Sequence, residues 1–323
     1  MNRTHLNSLR RFQSLAALVL MVIALALTTE QFLTVDNTLN VLRQICANLC
    51  LSVGMTLIIL SGGIDLSVGS VLALSGAVAA GLLKNGVAVP RTDVSLEVTV
   101  SGAIAAGLIV GTVLGWFNGF VITRFKLPPF VATLGMLSIA RGLTMLWTGG
   151  FPITRLGPSF GFMGSGHWLG LPMPVWISGV IVAASTLVLK RTRFGRHVYA
   201  VGGNERAAAL SGLNVNRIKL AVYTAGGALA GMAGLLVTAR LDSATPNAGL
   251  SYELDSIAAV VIGGTSLNGG RGTLMGTVLG CLIIGVLNNG LVLLEVSPFW
   301  QQVVKGAVIL AAVAVDRMGE QRN

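Results

Sequence analysis

The chain has 323 residues, 53% of them hydrophobic and 11% charged, with a formal charge of +10 and a mean hydropathy of +0.79. Soluble domains carry about a quarter charged residues, so an ordinary soluble domain is excluded. Continuous apolar runs also exclude a transmembrane β-barrel, whose strands alternate.

Taken in chain order, the apolar runs predict about ten membrane-spanning helices near residues 13–30, 38–60, 66–83, 98–123, 128–148, 174–189, 217–239, 253–266, 273–293 and 299–315. Most reach the roughly 20 residues needed to cross a hydrocarbon core of about 30 Å. The first follows Arg3, Arg10 and Arg11. It is longer than a signal-peptide core and has no small-x-small cleavage site before Glu30, so it reads as a span with its amino terminus inside. An even number of spans puts both termini on one side.

Charge then orients the bundle. With both ends cytoplasmic, fifteen of the 22 Lys+Arg fall in cytoplasmic segments and five (Arg43, Lys84, Arg91, Arg155, Arg240) on the external side, with Arg141 and Lys305 inside spans. This is the positive-inside bias, which accounts for the net charge without a nucleic-acid partner. Eight of the twelve acids, Asp93, Glu253 and Asp255 among them, fall on the external side. That mildly acidic face is either a docking surface for a soluble partner or the plain complement of the inside bias.

Between the second and third spans, Ser61–Gly69 (SGGIDLSVG) interrupts the helical pattern. Asp65 and Ser67 there either hold a broken helix lining a water-filled path, or Asp65 caps the third span. In the fourth span Gly107, Gly111, Gly115 and Gly119 recur every fourth residue, as do Gly227 and Gly231, and Gly272, Gly276 and Gly280, further on. That spacing lets backbones pack closely in lipid. The pentapeptide GTVLG occurs at Gly111–Gly115 and Gly276–Gly280, in spans of opposite direction. This fits a five-plus-five inverted repeat, although five apolar residues also recur by chance.

The external segment 149–173 is rich in Gly and Pro. The stretch Lys190–Lys219 is the one sizeable polar island and carries seven of the 22 basic residues. Within it Asn204 can cap a short helix, Glu205 suits its first turn, Ala207 and Ala208 favour helix, and Gly212 can end it. A helix held outside the bilayer, in a chain with no catalytic motif, is a lever for something else to push.

A second break, Gly263–Gly272 (GGTSLNGGRG), contains Ser266 and Asn268. Gly264 and Gly269 have the spacing of a phosphate loop, but Gly270 and Arg271 stand where Lys and Ser/Thr must follow, so nucleotide hydrolysis is excluded at that loop. Deep in the spans, Asn118, Asn288 and Asn289 are either interhelical glue or substrate contacts. Arg141 and Lys305 are expected to snorkel or pair. The three cysteines and three histidines suggest neither a metal site nor a disulfide framework, and no catalytic set converges.

Five segments carry a family resemblance: GMTLIILSGGIDLSVGSVLALSGAVAA (Gly54–Ala80), FVATLGMLSIARGLTM (Phe130–Met145), GRHVYAVGGNERAAALSGLNVNRIK (Gly195–Lys219), YELDSIAAVVIGGTSLNGGRG (Tyr252–Gly272) and GVLNNGLVLL (Gly285–Leu294). On these the chain resembles the permease subunits of bacterial ABC importers for monosaccharides, most like the ribose type. Branched-chain amino-acid permeases share the plan. The resemblance implies a single all-α multi-pass domain, 1–323, in the inner membrane. It also implies a permease homodimer, two nucleotide-binding subunits or one fused double ATPase, and a periplasmic sugar-binding protein. In this picture Asn204, Glu205, Ala207, Ala208 and Gly212 form the ATPase-coupling segment, and no cofactor is needed. The competing readings are a self-sufficient secondary sugar transporter, for which Asp65 is the one available ion-coupling acid, and a non-transporting membrane scaffold.

Overall fold

The computed structural model describes residues 3–88 and 95–321; Arg91, Asp93 and Arg322 lie outside the described residues. The helices are α1 (Arg3–Thr28), α2 (Val35–Leu60), α3 (Val68–Asn85), α4 (Val100–Phe125), α5 (Pro129–Thr148), α6 (Pro158–Ser165), α7 (Met173–Arg191), α8 (Arg193–Gly203), α9 (Glu205–Leu210), α10 (Val215–Leu241), α11 (Tyr252–Ile262), α12 (Leu274–Leu293) and α13 (Pro298–Gln321). Among the described residues, six two-residue strands, β1 (Val87–Ala88), β2 (Ser95–Leu96), β3 (Ile153–Thr154), β4 (His167–Trp168), β5 (Leu171–Pro172) and β6 (Ser243–Ala244), pair antiparallel as β1–β2, β3–β6 and β4–β5. Among the described residues, seven helices (α2, α3, α4, α5, α7, α10 and α12) are long and apolar enough to cross a membrane.

Helix starts follow local chemistry. Side chains of Thr34, Thr99, Thr192, Asn204, Asn214 and Thr273 each accept a backbone N–H three residues on, satisfying donors that the first turn leaves free. Helices α2, α3, α10 and α12 form the buried centre, while α4, α5 and α7 turn apolar side chains such as Ile109, Val113, Phe117 and Leu146 outward. A bundle that exposes its hydrophobic residues on the perimeter suits hydrocarbon as solvent.

Glycine spacing sets the closest packing. A Cβ on Gly111 of α4 would lie 2.5 Å from the Gly227 carbonyl oxygen and 2.8 Å from Gly231 Cα of α10. The two backbones therefore touch, and even alanine forces them apart. The second GTVLG stretch does the same on α12, where Gly276 and Gly280 abut Gly263 and Ala259 at and beyond the end of α11.

Two expectations change. Residues 253–266 were expected to form one span, but the helix there has 11 residues and ends at Ile262; at 1.5 Å per residue it is about 16 Å long, half a bilayer core. The chain after α10 does not return outside the bundle. It dips inward through 245–251, where Arg141 Nη1 on α5 donates to the Pro246 and Ala248 carbonyls (2.6 and 2.9 Å). Gly249, at φ +69°, abuts Gly69. Helix α11 thus begins inside the bundle, and Ser256 in its second turn donates to Asn48 Oδ1 halfway along α2 (3.1 Å). Asp255, expected on the outer face, is buried there and accepts from Lys305 Nζ at 3.0 Å. Breaking the helix is what brings both charges to one depth.

The segment 149–173 roofs the end of the bundle opposite the basic island. Its α6 buries Phe160 against α10, β3 pairs with β6, and the Leu156 N–H donates to Asp242 Oδ1 (2.8 Å).

Candidate functional site

The basic island folds into two short helices that sit against the ends of the spans. Thr192 caps α8, whose Gly195, Val198 and Val201 face inward while Arg193 and Arg196 face out; an apolar stripe every third or fourth residue seats the helix flat against the bundle. Asn204 Oδ1 then accepts the Ala207 N–H (2.9 Å), starting α9. Gly212, at φ +84°, ends it, with the Leu213 N–H returning to the Ala208 carbonyl (3.1 Å). That left-handed terminator is what only glycine adopts without strain. The expected segment therefore has its expected caps.

What α9 shows outward was not read from the sequence. Ala208 is buried, whereas Asn204, Glu205, Ala207 and Gly212 are exposed, and Leu210 is 90% exposed. An apolar knob at the tip of a polar island was the available signal. Glu205 Oε2 accepts from Lys219 Nζ of α10 at 2.7 Å, a cross-link between elements that no local spacing announces.

Behind α9 the two glycine-rich breaks meet. The Gly270 N–H donates to the Leu60 carbonyl (3.0 Å), joining the end of α2 to the connection before α12. Gly202 of α8 fits between them, its missing Cβ pointing at Leu60 O and 2.7 Å from Gly270 N. Tyr199 Oη of α8 donates to the Gly272 carbonyl (2.9 Å), and burial pushes its phenol above the ordinary value. Ser266 and Asn268 shape the second break from within: the Ser266 N–H donates to Arg271 O (2.9 Å) and the Asn268 N–H to Ser266 Oγ (3.3 Å).

A polar knot backs the first break. Asp65 Oδ1 accepts both the N–H and the hydroxyl of Ser67 (2.7 and 2.6 Å), and Asn118 Nδ2 of α4 donates to Ser67 Oγ (2.9 Å). All three are buried. Asp65 is not the cap of α3, because Ser67 holds that position; it folds the connection into a turn instead. Thr133 of α5 accepts the Leu66 N–H (3.2 Å).

The remaining amides separate by function of place. Asn289 exchanges two hydrogen bonds with Asn37 of α2 (2.8 and 3.1 Å), a reciprocal interhelical pair. Its neighbour Asn288 faces a cavity of about 150 Å³ between α2, α11, α12 and α13.

A chain of long apolar helices, with two short helices at one end and two touching backbone breaks, defines a multi-pass helical membrane protein. Residues 37–313 match the family described as branched-chain amino acid transport system / permease component. The chain belongs to this family. It is 47% identical over 308 residues to the ribose import permease of Haemophilus influenzae, covering 94% of this chain and 92% of that one. It is 50% identical over 302 residues to the ribose import permease of Bacillus subtilis (93% and 90%), and 39% identical over 295 residues to the D-allose transport system permease protein of Escherichia coli (91% and 87%). No solved structure matches it.

Proposed function

We propose that this chain is the permease subunit of a ribose-type ABC importer. It would work as a homodimer in the bacterial inner membrane, with its basic end in the cytoplasm, a separate ATPase below and a periplasmic sugar-binding protein above. The observation that carries this reading is α9, a capped helix seated at the ends of the spans, cross-linked to α10 and backed through α8 by both breaks. A force applied to Leu210 and its exposed neighbours reaches Lys219 through Glu205, and reaches Leu60 and Gly270 through Gly202. The first route ends on the continuous helix α10; the second ends where the two breaks meet.

Asp65, Ser67 and Asn118 hold the first break as a hinge, and Ser266 and Asn268 shape the second. Ten membrane-embedded elements, with α11 as a half-helix, give both termini the cytoplasmic side, and the paired GTVLG seams fit an inverted repeat. Residues 1–323 act as one translocation domain, and the roof formed by 149–173 lies where a binding protein would dock. Membrane lipid is its solvent.

Proteoliposome uptake tests this. The purified chain alone is expected to move no D-ribose; with the ATPase, the binding protein and ATP it accumulates the sugar. Concentrative uptake by the chain alone, without ATP, overturns the reading.

A further inference from the structure

The cavity beside Asn288 is unlike the other polar contacts of the bundle. Gln44 and Asn48 of α2, Asp255 of α11, Asn288 of α12, and Gln301 and Lys305 of α13 line it, four amides and an ion pair from four elements converging halfway along α2. Asn289 one residue on is fully reciprocated by Asn37, whereas Asn288 Oδ1 is buried and makes no hydrogen bond among the described residues. An unmatched buried acceptor destabilises a fold, so a purely structural site would favour an apolar side chain there.

The cavity also has an approach. Gln44 and Val292 line both it and a wider vestibule of about 470 Å³ at the roofed end, bordered by Arg43, Arg240 and Asn289. On its other side the cavity is bordered by Asn48, which accepts from Ser256, and by the buried Cys281.

We infer that this cavity is a binding site for a neutral monosaccharide in transit, entered past Gln44. The inference rests on the importer reading above and adds a place within the protomer where the cargo pauses. Sugar hydroxyls donate and accept at once, so a site for them needs both kinds of partner. The amides supply both, Asp255 accepts and Lys305 donates. Opposite charges 3.0 Å apart cancel, which suits an uncharged ligand, and the half-buried Tyr252 ring on the wall offers an apolar face to the C–H side of a sugar ring. The volume is about five times the ~30 Å³ share of a liquid water molecule, a single small sugar rather than a chain of them.

The test is radiolabelled D-ribose uptake by the complete complex, with Asn288→Leu in the permease. Maximal uptake is expected to fall at least about tenfold, while half-saturation, set in the binding protein, and ATP hydrolysis stimulated by that protein stay within twofold. The melting temperature does not fall, because the change removes an unmatched polar atom. Should that variant fail to assemble, Gln44→Leu carries the same expectation. Either assembled variant transporting within twofold of wild type overturns the site, as does uptake falling in step with ATP hydrolysis, the mark of a damaged gate. In both cases the wild-type complex still imports ribose and the importer reading survives. A wild-type complex that imports L-leucine and not ribose overturns both.

Discussion

Glu205 on α9 and Lys219 on α10 lie 14 residues apart in sequence and are joined by a 2.7 Å ion pair. The carboxylate side is mostly solvent-exposed, so the pair adds only about 0–1 kcal/mol to the fold. It ties a six-residue helix to a 27-residue one.

Breaking that strut should leave the protein folded and poorly coupled. Glu205→Gln or Lys219→Met is expected to keep a wild-type melting temperature and elution profile while lowering ATP-driven uptake about fivefold or more, with a futile remainder of ATP hydrolysis. The swap Glu205→Lys with Lys219→Glu should recover part of the transport. Uptake and phosphate release measured on the same vesicles decide it; unchanged uptake in both single variants removes the strut.

Gly202 and Gly203 make a matched pair of probes. A Cβ on Gly202 meets the backbone of Leu60 and Gly270, whereas one on Gly203 meets nothing within 4 Å. Backbone cannot step aside as a flexible side chain can, and such overpacking costs about 1–3 kcal/mol. Gly202→Ala should therefore cripple uptake, and Gly203→Ala should leave it within twofold of wild type. Equal effects of the two would place the junction elsewhere.

The α4–α10 seam can be tested by stability alone. Gly111→Ala is expected to cost about 1–3 kcal/mol through the collision with Gly227 and Gly231. Gly135→Ala on α5, whose Cβ would meet nothing within 4 Å, should be neutral or slightly stabilising. Thermal unfolding in nanodiscs, followed by elution profile, separates them.

Asp255 and Lys305 should behave as a unit. Removing one partner of a fully buried pair costs about 3–5 kcal/mol. Lys305 keeps 24% of its side-chain surface, which moderates the cost to about 2–3 kcal/mol for Asp255→Leu or Lys305→Met. The double variant should regain most of the melting temperature, because no unpaired charge remains. A double variant whose loss equals the sum of the two single losses would show that the two groups act independently.

Much was legible in the residues taken singly or at short spacing. Hydropathy marked the seven long apolar helices to within a few residues, because solvation by hydrocarbon acts on every side chain separately. Asn204 and Gly212 bound α9, because a cap and a left-handed terminator are local events. The two glycine-rich breaks were visible because a run of glycines cannot sustain a helix.

What only tertiary structure decided is which distant groups share a depth. The half-length of α11 follows from Arg141 holding a dip that Asp255 and Ser256 then enter beside Lys305 and Asn48. None of those pairs is close in sequence, and each is worth forming only once both partners have left water. The two neighbouring asparagines make the same point: Asn288 and Asn289 are chemically identical, and rotation by one helical step sends one to a partner on α2 and the other to an open cavity. Composition sets what a side chain can bond to; the packed bundle sets what it meets.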